Sequence, residues 1–337
     1  MSEEHYKYTV DERSLTQNWL TQHVWVPLAM RLPGRLPPNA ITLAGGVSMA
    51  TSVPCVYLAL EGNRWGSLGT LVCTLLYLTA DNVDGPHARN TDQCSRLGEF
   101  LDHWLDAING GVLSLSVVLC LGISGPLLLA YVITITLAFF ATIWEQHHTG
   151  TLHSEPLGAN EGILLICAIH LTLFILPGAS WLQYSPGVPN IAFLLGVFSI
   201  GGSLYTMARV LIRFRKRLVQ FIPVLLMCAA LVQVALLGIV DERIAAGGIL
   251  AMNALFSGAL LVARIGGRHS RYRSRIVSAL AVLSLVLAAV WPDGYGPFLG
   301  SVPVLVGLAV WAAATIAKDL YHAAQAFSGH PLDEAGD

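Results

Sequence analysis

Six carboxylates lie within 26 residues, between two segments that are otherwise strongly apolar: Asp81, Asp84, Asp92, Glu99, Asp102 and Asp106. In helices, Asp81 and Asp84 at spacing i, i+3 share one face, and so do Asp102 and Asp106 at i, i+4. Four converging carboxylates repel each other unless protons or cations neutralise them. Such oxygen ligands suit Mg²⁺, Mn²⁺ or Ca²⁺, and four Asp can bridge two ions about 3.5–4 Å apart. We interpret Asp92 as loop charge and Glu99 as helix N-terminal charge.

The alternative is structural, because acidic residues at the ends of membrane helices are often solvated termini or polar clusters. Small residues beside the acids favour a binding site: Gly85, Ala88 and Gly98. Glycine lets a backbone approach a flat ligand closely, and Arg89 offers a fixed positive charge to a phosphate. The pattern therefore predicts a metal–pyrophosphate site where two helices meet.

The elements that carry this site belong to a chain that is 54% hydrophobic and only 12% charged. Typical soluble domains carry about 25% charged residues, so we predict an all-α polytopic membrane protein. A membrane-spanning helix needs about 20 mostly apolar residues. Ten segments satisfy this: 39–61, 65–85, 96–122, 125–147, 160–177, 190–212, 218–240, 243–265, 275–291 and 296–317.

Basic residues collect on alternate connections between these segments, as they do on cytoplasmic loops. They lie before the first segment, in three alternate connections and after the tenth segment. We therefore predict an integral membrane protein with both termini and the acidic stretch on the cytoplasmic side. The net charge of −2 gives no reason to expect a nucleic-acid partner.

The residues before the first segment alternate polar side chains with Trp19, Leu20, Trp25, Leu28 and Met30. This pattern predicts an amphipathic helix in the membrane interface or, equally, a helix packed on the bundle. The predicted organisation is a cytoplasmic segment (1–37), catalytic helices (38–212), additional membrane helices (213–320) and a cytoplasmic tail (321–337). We also expect Asn39 to cap the first span, since Pro38 cannot continue a preceding helix.

The order of the site residues resembles the signature of the CDP-alcohol phosphotransferase family: Asp81-x2-Asp84-Gly85-x2-Ala88-Arg89-x8-Gly98-x3-Asp102-x3-Asp106. Four stretches are similar to the choline/ethanolaminephosphotransferase branch: "LPPNAITLAGG" (36–46), "LGEFLDHWLDA" (97–107), "WEQHHTGTL" (144–152) and "NEGILL" (160–165). The resemblance covers residues 37–165. The chain departs from the branch at Pro86, His87, Asn90 and Trp104, which leaves the head group open.

The resemblance implies that the hydroxyl of diacylglycerol attacks the β-phosphorus of CDP-ethanolamine or CDP-choline, and that CMP leaves. It implies two Mg²⁺ or Mn²⁺ ions held by Asp81, Asp84, Asp102 and Asp106. The nucleotide is expected near Gly85, Ala88, Arg89, Gly98 and Asn39. The base that takes the hydroxyl proton is either Asp106, the fourth Asp, or His103, whose imidazole exchanges protons near neutral pH. The resemblance favours His103.

Three further residues are weaker candidates for the cationic head group: Glu145, Glu161 and Trp144. The carboxylates could instead be helix-end charges, and Trp144 could be an interfacial anchor rather than a cation–π partner. Membrane lipids are expected around the protein, and a homodimer is expected from the family alone. Two other functions stay open: a phosphotransferase with another alcohol acceptor, and a cation-coupled transporter. The transporter is disfavoured because transporters spread such residues over both halves of the chain.

Overall fold

The computed structural model describes residues 9–11, 14, 16–153, 158–179, 181–238 and 240–265. Most of these residues are helical. The long helices are α3 (Pro38–Leu60), α4 (Arg64–Asn90), α5 (Arg96–Cys120), α6 (Gly125–Thr149), α7 (Ala159–Ile175), α8 (Ile191–Arg213), α9 (Ile222–Leu236) and α10 (Glu242–Ile265). A 3₁₀ helix, Arg215–Phe221, precedes α9. The described residues form two compact units, one within 1–123 and 148–196, the other within 124–147 and 197–265.

These eight helices coincide with the first eight apolar segments, in agreement with an all-α polytopic membrane protein. Five of the described helices, namely α3, α5, α6, α8 and α10, are long and apolar enough to cross a membrane. The 3₁₀ helix and α9 form a bent pair that would make a sixth span, and α7 is shorter, at 17 residues. Segments 275–291 and 296–317 and the tail lie outside the described residues, so the count of ten spans stays a prediction, as do the predicted domain boundaries.

Helix α4 runs five residues beyond its predicted end at residue 85, with Pro86 inside it. The connection to α5 is therefore residues 91–95 rather than about ten residues. Asp92 in this connection has a φ of 53°, the left-handed region. Pro86 and the charged residues near it lie where the surface of α4 becomes polar. They do not lie at the end of the helix.

The predicted cap of α3 is wrong. The helix begins at Pro38, with Pro37 as the N-cap residue. Proline is favoured at this first position because its missing N–H would have no helical partner and its φ already suits a helix. Asn39 is consequently inside the first turn, and its carboxamide is not used as a cap.

Helix α3 packs along both α4 and α5, and α4 also packs against α7. The α3–α4 contact is close because α4 has Gly66 at the crossing, where a Cβ would overlap the Cys55 carbonyl oxygen and lie 2.9 Å from Ala59 Cα. Between α4 and α5, side chains of both helices meet, including the carboxylates.

A side chain at position 66 should force α3 and α4 apart. We expect Gly66→Ala to lower the free energy of unfolding by about 1–3 kcal/mol, as overpacking does. Thermal unfolding of the purified protein in detergent, followed by tryptophan fluorescence, measures this. Gly162→Ala is the matched control, because a Cβ there meets nothing within 4 Å and alanine favours a helix. Equal melting temperatures for the two variants would contradict the packing.

The N-terminal segment forms one helical run of three parts: α1 (Gln17–Leu20), a π-helical turn (Thr21–Trp25) and α2 (Val26–Ala29). Trp25 and Ala29 lie in the core of the first unit, while Trp19 and Met30 are 60% and 64% exposed. One face of this helical run therefore packs on the bundle, which was the second of the two predicted arrangements. The location of its other face in the membrane interface stays a prediction. A short strand before it, β1 (Thr9–Asp11), pairs in parallel with β2 (Thr151–His153).

Candidate active site

Three of the four predicted metal ligands come together across the gap between α4 and α5. Asp81 of α4 and Asp102 and Asp106 of α5 each present a carboxylate oxygen, and these oxygens all lie within 4.8 Å of one another. The three side chains are half-buried. Like charges this close need a neutralising partner, and carboxylate oxygens are the ligands that Mg²⁺ and Mn²⁺ prefer. The three residues fit a divalent cation.

Asp84, the fourth predicted ligand, is placed differently. It is only 4% exposed, one oxygen accepts from the Thr42 hydroxyl, and the other accepts from the Gly85 N–H at 2.6 Å. Thr42 belongs to α3, so this bond ties α3 to the acidic end of α4. A carboxylate oxygen keeps further lone pairs after one hydrogen bond, so ligation by Asp84 stays a prediction.

A tyrosine that the sequence analysis missed supports the cluster. Tyr77 is buried in α4, and its hydroxyl donates to Asp106 Oδ1 over 2.8 Å. The long side chain therefore crosses the gap from α4 to α5. Its position four residues before Asp81, on the same helix face, was the signal in the sequence.

His103 has a carboxylate neighbour that the sequence analysis assigned to another role. Glu99 does lie in the first turn of α5, but it is 5% exposed, as is His103. Its Oε1 lies 3.9 Å from His103 Nε2. The i, i+4 spacing of the two residues could have revealed this pair. A buried carboxylate beside an imidazole favours the imidazolium that forms when the imidazole takes up a proton.

Two of the residues predicted to bind the nucleotide are brought together at the start of α5. Ser95 caps this helix by accepting the Gly98 N–H at 3.0 Å. A Cβ on Gly98 would lie 3.1 Å from Asn39 Oδ1, so the missing side chain lets α3 approach α5 here. Contact of either residue with a nucleotide stays a prediction.

The other three predicted nucleotide residues lie on the last turns of α4. The Arg89 guanidinium folds back over Gly85, where a Cβ would be 3.3 Å from its Nη1. Ala88 is half-buried and Arg89 is exposed. The exposed arginine thus lies on the same end of α4 as Asp81 and Asp84, and its contact with a phosphate stays a prediction.

One of the departures from the branch has a structural role. His87 is fully buried, and its Nε2 lies 2.9 Å from the Leu36 carbonyl oxygen. Its Nδ1 lies 3.4 Å from the Ala29 carbonyl oxygen. The ring therefore holds the segment that leads into α3 against α4.

Glu161, a predicted head-group residue in the first unit, is engaged in structural hydrogen bonds. Its Oε1 accepts from the Ser14 hydroxyl at 2.6 Å and from the Thr16 N–H and hydroxyl at 2.9 and 2.8 Å. Its Oε2 accepts the Gly158 N–H at 2.9 Å, at the start of α7. These bonds favour a structural role, and head-group binding stays an untested prediction.

Glu145 and Trp144 belong to the second unit. Glu145 is 1% exposed and forms ion pairs with Arg209 at 3.2 Å and Arg213 at 2.7 Å. The Trp144 indole N–H donates to Gln220 Oε1 at 2.8 Å, and its ring packs edge-on against two phenylalanines. Both side chains thus have partners within the protein, and their head-group roles stay predictions.

Comparison with known proteins agrees with the family that the site resembles. Residues 35–200 match the family model described as CDP-alcohol phosphatidyltransferase. The chain is 35% identical over 171 residues to choline/ethanolaminephosphotransferase 1 of Saccharomyces cerevisiae, an alignment covering 48% of this chain and 43% of that protein. It is 32% identical over 169 residues to cholinephosphotransferase 1 of the same yeast, covering 48% and 43%.

A plant protein is similar at the same level. The identity to choline/ethanolaminephosphotransferase 1 of Arabidopsis thaliana is 31% over 185 residues, covering 52% of this chain and 46% of that protein. The chain thus spans about half the length of the curated relatives it matches. The resemblance seen in the sequence is confirmed, and the matched region extends beyond residue 165 to residue 200.

Proposed function

Because this chain carries a domain of the CDP-alcohol phosphatidyltransferase family, a family of transferases, we propose that it transfers phosphoethanolamine or phosphocholine from the CDP-activated donor to diacylglycerol. The observation that carries the proposal is the meeting of Asp81, Asp102 and Asp106 within the matched domain. The named activities of the yeast and plant relatives support this donor class.

The three carboxylates would hold one divalent ion. Asp84, one turn further along α4, would be available to bind a second ion. Bound Mg²⁺ or Mn²⁺ ions neutralise a pyrophosphate and stabilise a leaving phosphate oxygen. Arg89, in the last turn of α4, supplies further positive charge for the phosphates.

His103 is the better candidate for the base. In the proposed reaction the diacylglycerol hydroxyl oxygen bonds to the β-phosphorus, the bond from that phosphorus to the bridging oxygen breaks, and the oxygen leaves with CMP. The hydroxyl proton passes to His103, and Glu99 stabilises the resulting cation. Asp106 suits ligation instead, because one of its carboxylate oxygens lies within 4.8 Å of those of Asp81 and Asp102.

The transferase activity can be tested on purified protein in micelles that contain diacylglycerol. CDP-ethanolamine and CDP-choline are supplied in parallel, with Mn²⁺, Mg²⁺ or EDTA, and CMP and the product lipid are quantified. We expect metal-dependent CMP release with the matching phospholipid from at least one donor. Release of CMP without a diacylglycerol product would point to another alcohol acceptor, and no release from either donor would contradict the proposal.

Tyr77→Phe removes the hydroxyl that holds Asp106 and keeps the buried ring. We expect the Mn²⁺ concentration for half-maximal CMP release to rise about tenfold, since partners of metal ligands typically contribute 10–100-fold to metal affinity. The maximal rate at saturating Mn²⁺ should change less. An unchanged metal requirement would show that the phenol does not orient Asp106.

We also propose that the chain crosses the membrane ten times and that Trp19 and Met30 contact the membrane interface. We further propose that the site faces the cytoplasm. The distribution of Lys and Arg supports this orientation. Cys94 tests it, because this exposed native thiol lies between α4 and α5, next to the site. An impermeant maleimide should label Cys94 in sealed vesicles whose cytoplasmic face is outside, with Cys94→Ser as control. Labelling only in vesicles of the opposite orientation would reverse the topology.

A further inference from the structure

Three side-chain amides from three separate helices meet beside the acidic cluster. Gln17 of α1 donates through Nε2 to Asn82 Oδ1 of α4 at 2.9 Å. Asn160 of α7 donates through Nδ2 to the same oxygen at 3.2 Å, and it also donates to Gln17 Oε1. We call Gln17, Asn82 and Asn160 the amide triad.

The amide triad selects one orientation of the Asn82 side chain. Because Gln17 and Asn160 both donate to Oδ1, the Asn82 NH₂ group faces the other way. It donates to the Leu78 carbonyl oxygen at 2.8 Å and lies 3.4 Å from Asp81 Oδ2. In the flipped orientation the Asn82 oxygen would face the Asp81 carboxylate, and its NH₂ group would face two other donors.

The N-terminal segment is fixed so that Gln17 can perform this role. The hydrogen bonds from Ser14 and Thr16 to Glu161 hold the chain just before Gln17 against α7. Trp25 and Ala29 pack in the core that also contains Tyr77 and other α4 side chains. Gln17 is therefore held in place by contacts of the residues that precede it and of those that follow it in the chain.

We propose that Gln17 and Asn160 are positioning residues, which orient the metal ligand Asp81 by fixing the amide of Asn82. The N-terminal helix is then a part of the divalent-metal site, although it lies outside the matched region of residues 35–200. The inference rests on the proposed function, since it assigns Asp81 to a metal. A metal ligand that is held by an oriented donor loses less freedom on binding, and removing such donors typically lowers metal affinity 10–100-fold.

The test is direct Mn²⁺ binding, followed by loss of the electron paramagnetic resonance signal of free Mn²⁺. The full chain is compared with Gln17→Ala and Gln17→Glu. We expect Gln17→Ala to weaken Mn²⁺ binding about tenfold. Gln17→Glu should weaken it further, because an acceptor beside Asn82 would draw its NH₂ group away from Asp81. Asn160→Ala should resemble Gln17→Ala and tests the triad if a Gln17 variant fails to fold.

Gln183→Ala is the matched control, because this amide belongs to the same unit and donates instead to the Cys120 carbonyl oxygen. It should bind Mn²⁺ like the unaltered chain. Folded triad variants with unaltered Mn²⁺ affinity, or with losses equal to that of the control, would overturn the inference alone. An unaltered chain that binds no Mn²⁺ would overturn the proposed function as well, so the two failures are distinguishable.

Discussion

Asp102→Asn is expected to reduce metal-dependent CMP release by more than about a hundredfold, because losing a metal ligand should cost more than losing a partner of a ligand, which typically costs 10–100-fold. Asp102 belongs to the three-carboxylate cluster, and the amide keeps the shape of the side chain while removing its charge. An uncharged ligand leaves the cation underneutralised and lowers its occupancy. The rate of CMP release at saturating donor and a series of Mn²⁺ concentrations measures the effect.

Asp92→Asn is the matched control for this substitution. Asp92 is exposed in the connection between α4 and α5, and its φ of 53° is one that asparagine adopts readily. We expect the control to keep its rate and its metal requirement. If Asp102→Asn released CMP as fast as Asp92→Asn, the assignment of the cluster to metal binding would be wrong.

His103→Ala is the second large effect. General-base catalysis typically contributes 10²–10⁴-fold, and we expect a loss of CMP release in this range with donor binding retained. Glu99→Gln should cause a smaller loss, because it removes the charge beside the imidazole and leaves the ring in place. Calorimetric titration with the donor in the presence of Mn²⁺ separates the binding step from the chemical step.

His23→Ala serves as the control for His103, because this exposed histidine lies outside the site, where its Nδ1 is 2.8 Å from the Trp19 carbonyl oxygen and its ring stacks on that of Trp19. A rate close to that of the unaltered chain is expected. Should His103→Ala retain full activity, the proton would have to pass to another group, and Asp106 would become the better candidate. Loss of donor binding in His103→Ala would instead place the imidazole in the binding site.

The acidic cluster could be predicted because, in a helix, the spacing of residues in the sequence determines which of them share a face. Asp81 with Asp84, and Asp102 with Asp106, each had to share a helix face, whatever the tertiary packing. The apolar lengths likewise fixed eight helices to within a few residues, apart from the end of α4. That end was misjudged because Pro86 and nearby charges were interpreted as a loop, although a proline inside a helix is tolerated at some cost.

Unlike Tyr77 and Glu99, whose i, i+4 spacing to site residues was a local signal, the amide triad could not be predicted, because it depends on contacts between distant parts of the chain. Gln17 and Asn82 are 65 residues apart in sequence, and nothing local pairs them. Glu145 shows the same dependence on distant contacts. Its sequence context suggested a cation-binding carboxylate, and in the structure it forms ion pairs with Arg209 and Arg213, more than 60 residues further along the chain.

The central claim is that the carboxylates hold a divalent metal that binds the CDP-activated donor. The most direct measurement is calorimetric titration of CDP-ethanolamine, and in parallel CDP-choline, into the purified protein with Mn²⁺ and with EDTA. The account predicts saturable binding of at least one donor in Mn²⁺, which EDTA removes. Equal binding in EDTA, or no binding of either donor in Mn²⁺, would contradict it.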